Sequence, residues 1–366
     1  MKKLGALLVF VFLLPTIVFL PRTVRGLYNY GIEEGTRCST CHVNPTGGML
    51  RSRVGLDYAL NNHSFYEAAD SEPRLDFFIG ENIQIGSDAR FLYYYYDDDT
   101  LQSKSTFFTM QGALYLSATL GQNITLFFNN DFGFGGFGQN RELWGMIKRL
   151  PLEGYLKIGR FRVPYGLRID DHTSYIKDRF GFGTGSQDNG VEFGFVPSTY
   201  FLNLSVTNGL APTIPFDNNT YKAFTVSGGY LVRNFSLGSS YYFNRVNSFQ
   251  EVQRAGIFGS VGISNFVLIS ELDYGQNEAL ITGDRIDLLA GYCEASYKVS
   301  GSCWLKAKYD YFDSDRAMAD NHIQRISMGG SIFAFNLSEL QMYYRINIEE
   351  PDINNNEFIS QVHLFF

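Results

Sequence analysis

Cys38-Ser39-Thr40-Cys41-His42 is the stretch of this chain in which thiols and an imidazole stand at a spacing with a chemistry of its own. Two thiols separated by two residues can add to the vinyl groups of one haem, and the adjacent histidine then supplies the proximal iron ligand. A zinc site would need further Cys or His close by, and a thioredoxin-type motif would need a strand–helix–strand setting. The spacing therefore predicts one covalent haem c, held through Cys38 and Cys41, with His42 on the iron. For the second axial position the segment offers His63 and Met49. Met49 follows the tight turn Asn44-Pro45-Thr46-Gly47-Gly48, so reaching the opposite haem face demands a sharp reversal. His63 has the longer tether, and its plain alternative is a solvent-exposed loop residue. His172, His322 and His363 fall in the part expected to be a barrel, as lumenal or loop residues.

The whole chain bounds what surrounds that motif. At 366 residues, 45% hydrophobic and 16% aromatic, it is too apolar for disorder and long enough for one large domain with an appendage. The net charge of -7, with no basic block past the first residues, excludes nucleic acid as a partner. Lys2 and Lys3 precede an apolar run from Leu4 to Leu20, and Val24-Arg25-Gly26 offers small residues for cleavage, so 1–26 reads as a removed signal peptide. An uncleaved membrane anchor is the alternative; Pro15, Pro21 and the strands downstream weigh against it.

From about Ile83 to the last residue, period-two alternation recurs and no helical apolar period is sustained. In 108–120, Phe108, Met110, Leu114, Leu116 and Leu120 alternate with polar residues, as Leu340, Met342, Tyr344 and Ile346 do in 338–348. Sixteen such segments can be counted. Connections after even strands are tight, as at Gly121-Gln122 and Ser264-Asn265, while most after odd strands are longer and more polar. These features predict a mainly β fold, a 16-stranded antiparallel transmembrane β-barrel over 76–366. The longest connection, 163–188, is expected to fold inward. Phe366, Leu364, Val362 and Phe358 share a face, resembling the terminal strand that outer-membrane assembly recognises. Segment 27–75 is too short for a large core of its own, so it should plug or abut the barrel lumen.

Cys293 and Cys303 are expected on opposite faces of neighbouring strands, and therefore unpaired. Lys157, Lys306, Lys308, Asp310 and Arg345 face the lumen by parity. Gly133-Phe134-Gly135-Gly136-Phe137-Gly138 matches a dinucleotide-binding pattern but lacks a following helix and reads as a loop. Acidic runs at Asp97-Asp98-Asp99, Asp170-Asp171 and Glu349-Glu350 with Asp352 could gather a cation in outer loops, or simply stay solvated.

The order of signal, one CSTCH, short segment and large barrel resembles the fused monohaem cytochrome-porins of bacteria that exchange electrons with extracellular iron. That resemblance covers most of the chain and implies an electron conduit in the bacterial outer membrane. Cys38, Cys41 and His42 would carry one haem c between an extracellular metal ion or redox partner and a periplasmic c-type cytochrome. The lead-in from Tyr28 to Arg37 departs from the phenylalanine-, alanine- and arginine-rich lead-in of the iron oxidisers, so iron(II) oxidation is not carried over with the rest. The stretch Gly159-Arg160-Phe161-Arg162-Val163-Pro164-Tyr165-Gly166 looks like one in phosphate-selective porins. A solute porin of anion or phosphate type is thus the alternative function, with a barrel that merely scaffolds a partner cytochrome as a third.

Overall fold

The computed structural model describes residues 25–26, 35–63, 77–97, 102–132, 139–209, 216–217, 219–232, 234–351 and 353–366. Apart from Arg25 and Gly26, the expected signal peptide lies outside the described residues, as do the glycine-rich run 133–138, Asp98, Asp99 and Asp352. The wall begins with β1 (Ile83–Tyr96), β2 (Lys104–Leu120), β3 (Ile124–Asp131) and β4 (Gln139–Leu150). It continues with β5 (Gly154–Arg162), β6 (Gln187–Phe195), β7 (Tyr200–Thr207) and β8 (Ala223–Val232). The second half holds β9 (Phe235–Asn247), β10 (Gln250–Ile263), β11 (Phe266–Ala279) and β12 (Asp284–Ser300). Last come β13 (Cys303–Asp313), β14 (His322–Ile332), β15 (Ser338–Ile348) and β16 (Glu357–Phe365). Each strand pairs antiparallel with its neighbours in sequence, and β16 closes on β1 with Phe365 opposite Asp88.

The alternation works as a membrane barrel requires, with the usual sense of burial reversed. On β7, Asn203, Ser205 and Thr207 are buried inside while Leu204 and Val206 are exposed outside; β8 repeats this with Thr225 and Ser227 against Phe224 and Val226. Large apolar side chains on the outer face of a closed barrel have only lipid to meet, and the polar ones inside meet water or each other. Among the described residues no helix is long and apolar enough to cross a bilayer, so the strands do the crossing.

Phase departs from simple alternation in one strand and from its apparent sense in another. Opposite Arg90 and Phe91 of β1, the partner on β2 skips from Gln111 to Thr109, leaving Met110 bulged. Beyond a bulge the faces exchange, so Phe107, 82% exposed, takes the outer face in place of Phe108. On β12 the apolar residues Leu288, Ala290 and Tyr292 point inward, which puts Cys293 on the lipid face together with Cys303, not opposite to it. Both thiols are free for another reason: Cys303 pairs with Ser300, seven residues along β12 from Cys293, roughly 23 Å away.

What covers Leu288, Ala290 and Tyr292 is the long third connection, 163–186, which does turn inward. Its helical turn α3 (Tyr175–Asp178) and Val163, Tyr165, Phe180 and Phe182 form an apolar cluster with those three residues and Phe312. On the long-loop side, two connections are nevertheless tight, at Ser248–Phe249 and Leu280–Gly283.

Candidate functional site

The residues expected to attach haem occupy α1 (Cys38–Cys41), one helical turn whose C-cap is His42, with the His42 N–H donating to Cys38 O at 2.9 Å. The chain then doubles back. His42 bridges Arg51 and the Val43 N–H donates to Leu50 O, a hairpin made by Asn44 to Gly48 with Gly47 and Gly48 at positive φ. Only glycine takes that conformation at no steric cost, and at Gly47 a Cβ would also stand 3.2 Å from Cys38 Sγ.

Ser52 joins the motif to the helix α2 (Arg53–Asn62) that follows. Its N–H donates to Cys41 O, its hydroxyl donates to Thr40 O at 2.6 Å, and the same oxygen caps α2 by accepting from the Gly55 N–H. A Cβ on Gly55 would lie 2.1 Å from Cys41 O, so the two helices meet backbone to backbone.

This small unit lies inside the barrel at its short-turn end. Leu50 packs with Ala113, Tyr115, Phe127, Trp144 and Phe161 of one wall, and Ala59 with Val267, Trp304, Phe333 and Phe365 of the other. Asn44 accepts from Lys157 Nζ at 3.1 Å, and Lys157 is paired with Glu192 at 2.8 Å, both fully buried. Gln84 donates to Arg51 O, the Arg51 guanidinium lies 4.0 Å from the Phe365 ring centre, and Arg37 bonds Glu153 and Val196 O in the turns after β4 and β6.

Burial, reinforced by Arg51, pushes the His42 imidazole down to about 4, with Asp88 partly opposing; burial likewise pushes the Cys38 thiol up to about 11. A neutral imidazole is the form that ligates metal. His42 Nδ1 is buried with no hydrogen-bond partner among the described residues. Beside Cys38 lies a small cleft of about 60 Å³, lined by Pro45, Tyr165, Arg168 and Phe201, well below the cofactor range of roughly 300–1,000 Å³. Donor set and glycine cradle are of the kind that would hold a haem c on Cys38 and Cys41 with His42 as proximal ligand, and the adjoining cleft would have to widen to take it.

The two distal candidates are placed differently. Met49 shares the hairpin with His42, but its sulfur accepts from Asn129 Nδ2 at 3.4 Å. His63 caps the far end of α2, ten residues or ~15 Å from the motif. There it stacks on Phe333 at 4.5 Å and meets Tyr58 edge-on. The structure thus gathers Cys38, Cys41, His42 and Met49, and sets His63 apart.

Above this unit the third loop is tied to the lumen wall through charges. Asp171 lies 2.9 Å from Lys308 and 3.6 Å from Arg345; Asp170 pairs with Arg90 at 2.7 Å and Lys177 with Glu271 at 3.3 Å. The Tyr175 N–H donates to Asp310, and Arg325 bridges Asp310 and Thr173 O. Parity had identified Lys157, Lys308, Asp310 and Arg345 as lumenal. Asn44, Asp88 and Arg168 carried no local signal, since their partners come from distant strands.

A sixteen-stranded barrel with an inward third loop and polar lumen has solved relatives in shape. The chain resembles a loop-deletion mutant of OmpT, an outer-membrane protein of Vibrio cholerae, at 14% identity and a TM-score of 0.65, covering 78% of this chain and 99% of that one. The fold is that of an outer-membrane porin. The outer membrane channel DcaP of Acinetobacter baumannii matches at 12% identity and TM-score 0.61, over 80% and 100% of the two chains. An anion-selective porin from Comamonas acidovorans matches at 13% and 0.60, over 78% and 99%. No family model and no curated protein matches the sequence. The porin-type barrel, with its apolar outer band, belongs in the bacterial outer membrane.

Proposed function

We propose that this porin-type barrel is an electron conduit, with one haem c on Cys38 and Cys41, and His42 on the iron, in the segment that fills its short-turn end. The carrying observation is that the pentapeptide Cys38-Ser39-Thr40-Cys41-His42 is braced inside a closed membrane barrel. Asp88, whose charge acts on His42, lies five residues into β1. On a strand tilted by about 40° that is roughly 13 Å from the rim, about half of an apolar band ~25 Å tall. When bound, haem would supply one-electron chemistry at a potential set by its ligands and burial.

The residues of the chain supply the rest. Ser52 and Gly55 fix α2 against α1, and Gly47 leaves room beside Cys38. Lys157 and Gln84 anchor the hairpin to the wall, while the third loop packs against the wall above it. A periplasmic c-type cytochrome would exchange electrons at the short-turn face, and an external metal ion or redox partner at the loop face. The second reading, a solute porin, is favoured by the likeness to channels, one of them anion-selective. Against it stands a lumen occupied by two bodies, the hairpin segment and the third loop.

Proteoliposomes enclosing a redox dye separate the two. Wild-type protein is expected to pass electrons to or from an external reagent and Cys38→Ala/Cys41→Ala protein is not. Equal electron flow through both, or ion flow with no electron flow through either, would leave the porin reading alone.

A further inference from the structure

One cluster of metal-ligating side chains in the lumen belongs neither to the haem-attachment motif nor to the loop's ion pairs alone. His363 on β16, Glu339 on β15 and Asp170 in the third loop each offer a ligand atom, and these lie within 4.8 Å of one another. Glu339 and His363 are directly paired across the two strands, and His363 is in turn opposite Arg90 of β1. The wall therefore fixes two of the three groups.

The state of His363 points to a ligand. Its ring is 3% exposed, and Nε2 meets Asp88 Oδ1 at 2.9 Å. That carboxylate holds the Nε2–H tautomer, as carboxylates do behind metal-bound histidines. Nδ1 is then left with a lone pair. It has no hydrogen-bond partner among the described residues, and faces Glu339 Oε2 at 3.6 Å, beyond hydrogen-bond length. A lone pair facing a carboxylate oxygen across that gap is repulsive unless a second ring proton, making an ion pair with Glu339, or a metal cation stands between them.

From this geometry we propose a binding site for a divalent first-row transition-metal ion, ligated by His363 Nδ1, Glu339 and Asp170, with Asp88 as the positioning residue behind His363. Metal–ligand bonds of about 2.1 Å set donor atoms roughly 3–4 Å apart, so the observed cluster needs to contract by about 1 Å. One imidazole with two carboxylates suits manganese, iron or zinc rather than a soft monovalent ion. Asp170 keeps one oxygen on Arg90, and its side chain is 61% exposed to the lumen, which gives the ion a way in. Asp88 is shared with the surroundings of His42. In the conduit reading the ion would thus sit beside the haem-attachment hairpin; that consequence rests on the proposed function, whereas the site itself does not.

The test reads the metal, not electron transfer. Manganese(II) is titrated into purified full-length protein and free ion is followed by its paramagnetic resonance. One protected equivalent is expected, with affinity lowered more than tenfold in Glu339→Gln and in His363→Gln, and ~10–100-fold in Asp88→Asn. Glu251→Gln, on the β9–β10 hairpin, should bind as wild type. Heat-dependent gel mobility reports which variants keep a closed barrel, and either ligand variant alone decides the matter. Absence of a bound equivalent, meaning that a proton fills the gap, would overturn the proposal. So would equal binding by wild type and both ligand variants, meaning adventitious ions on the acidic loops.

Discussion

Two closures in series make a quantitative prediction about conductance. Asp171→Asn removes the carboxylate that Lys308 and Arg345 share, and Lys157→Met removes the ammonium that binds Glu192 and Asn44. Breaking a buried ion pair by deleting one partner costs about 3–5 kcal/mol. At Asp171 the lower end applies, because Lys308 keeps Glu294 at 4.0 Å and Arg345 keeps Glu357 at 3.4 Å. About 3 kcal/mol is roughly a 150-fold change in the balance between seated and displaced loop. At the hairpin the link lost is the hydrogen bond from Lys157 to Asn44, since Lys157 and Glu192 both stand in the wall; a hydrogen bond to a charged group is worth about 1.5–3 kcal/mol, roughly 10- to 150-fold.

With both bodies seated in the lumen, ions are expected to pass only when loop and hairpin are displaced together. The two contacts share no partner, so their effects should multiply. In planar bilayers, open probability should rise about 100-fold in Asp171→Asn, ~10–100-fold in Lys157→Met and on the order of 10³–10⁴-fold in the double variant. Lys157→Met/Glu192→Leu should regain wall stability, because a buried pair replaced as a unit is nearly neutral, yet stay as open as Lys157→Met, since it too lacks the donor to Asn44. Wild-type protein that is already freely open would refute the two-layer closure. A double variant no more open than either single one would refute their arrangement in series.

Other consequences can be checked separately. Gly55→Ala must push α2 off Cys41, at an overpacking cost of about 1–3 kcal/mol, so residues 35–63 should lose protease protection while the barrel keeps its gel mobility. Phe333→Ala removes the ring on which His63 stacks and should loosen the end of α2 by about 3–5 kcal/mol, read as earlier cleavage there in a urea series. Burial raises the Asp171 carboxyl, but Lys308 and Arg345 outweigh this and hold it well below the usual carboxylate range. A depressed carboxylate stabilises the fold above its unfolded value near 4 and is lost only as pH falls through the native one. Conductance should therefore stay flat from pH 8 to about pH 4 and rise only in stronger acid; a rise between pH 7 and pH 5 would show that another group latches the loop.

Strand number, strand order and the inward loop were legible because each depends on local alternation and on connection length. Parity also identified Lys157, Lys308, Asp310 and Arg345 as lumenal, since charge on a lipid-facing position is costly. It failed where a third body covers the inner wall. Leu288, Ala290 and Tyr292 carry the apolar alternation that suits a lipid face, yet they point into the lumen and pack on Tyr175, Ile176 and Phe182 of the third loop. The Met110 bulge was equally invisible, because one residue without a partner leaves no mark in composition.

The pentapeptide at Cys38 was legible as a spacing and not as a position, and the reason is physical. Its spacing is set by one helical turn, whereas its depth in the membrane is set by Asn44 on Lys157, Arg51 on Phe365 and Ala59 on Trp304. Each of those contacts joins residues more than a hundred positions apart, so neither side carries a local trace of the other. His363 shows the same divide. Read alone it was one lumenal or loop histidine among several; the neighbouring β15 sets Glu339 before it, and only the closure of β16 on β1 sets Asp88 behind it. A barrel closes through pairing of its first and last strands, so a site built on that seam cannot be read from either end of the sequence by itself.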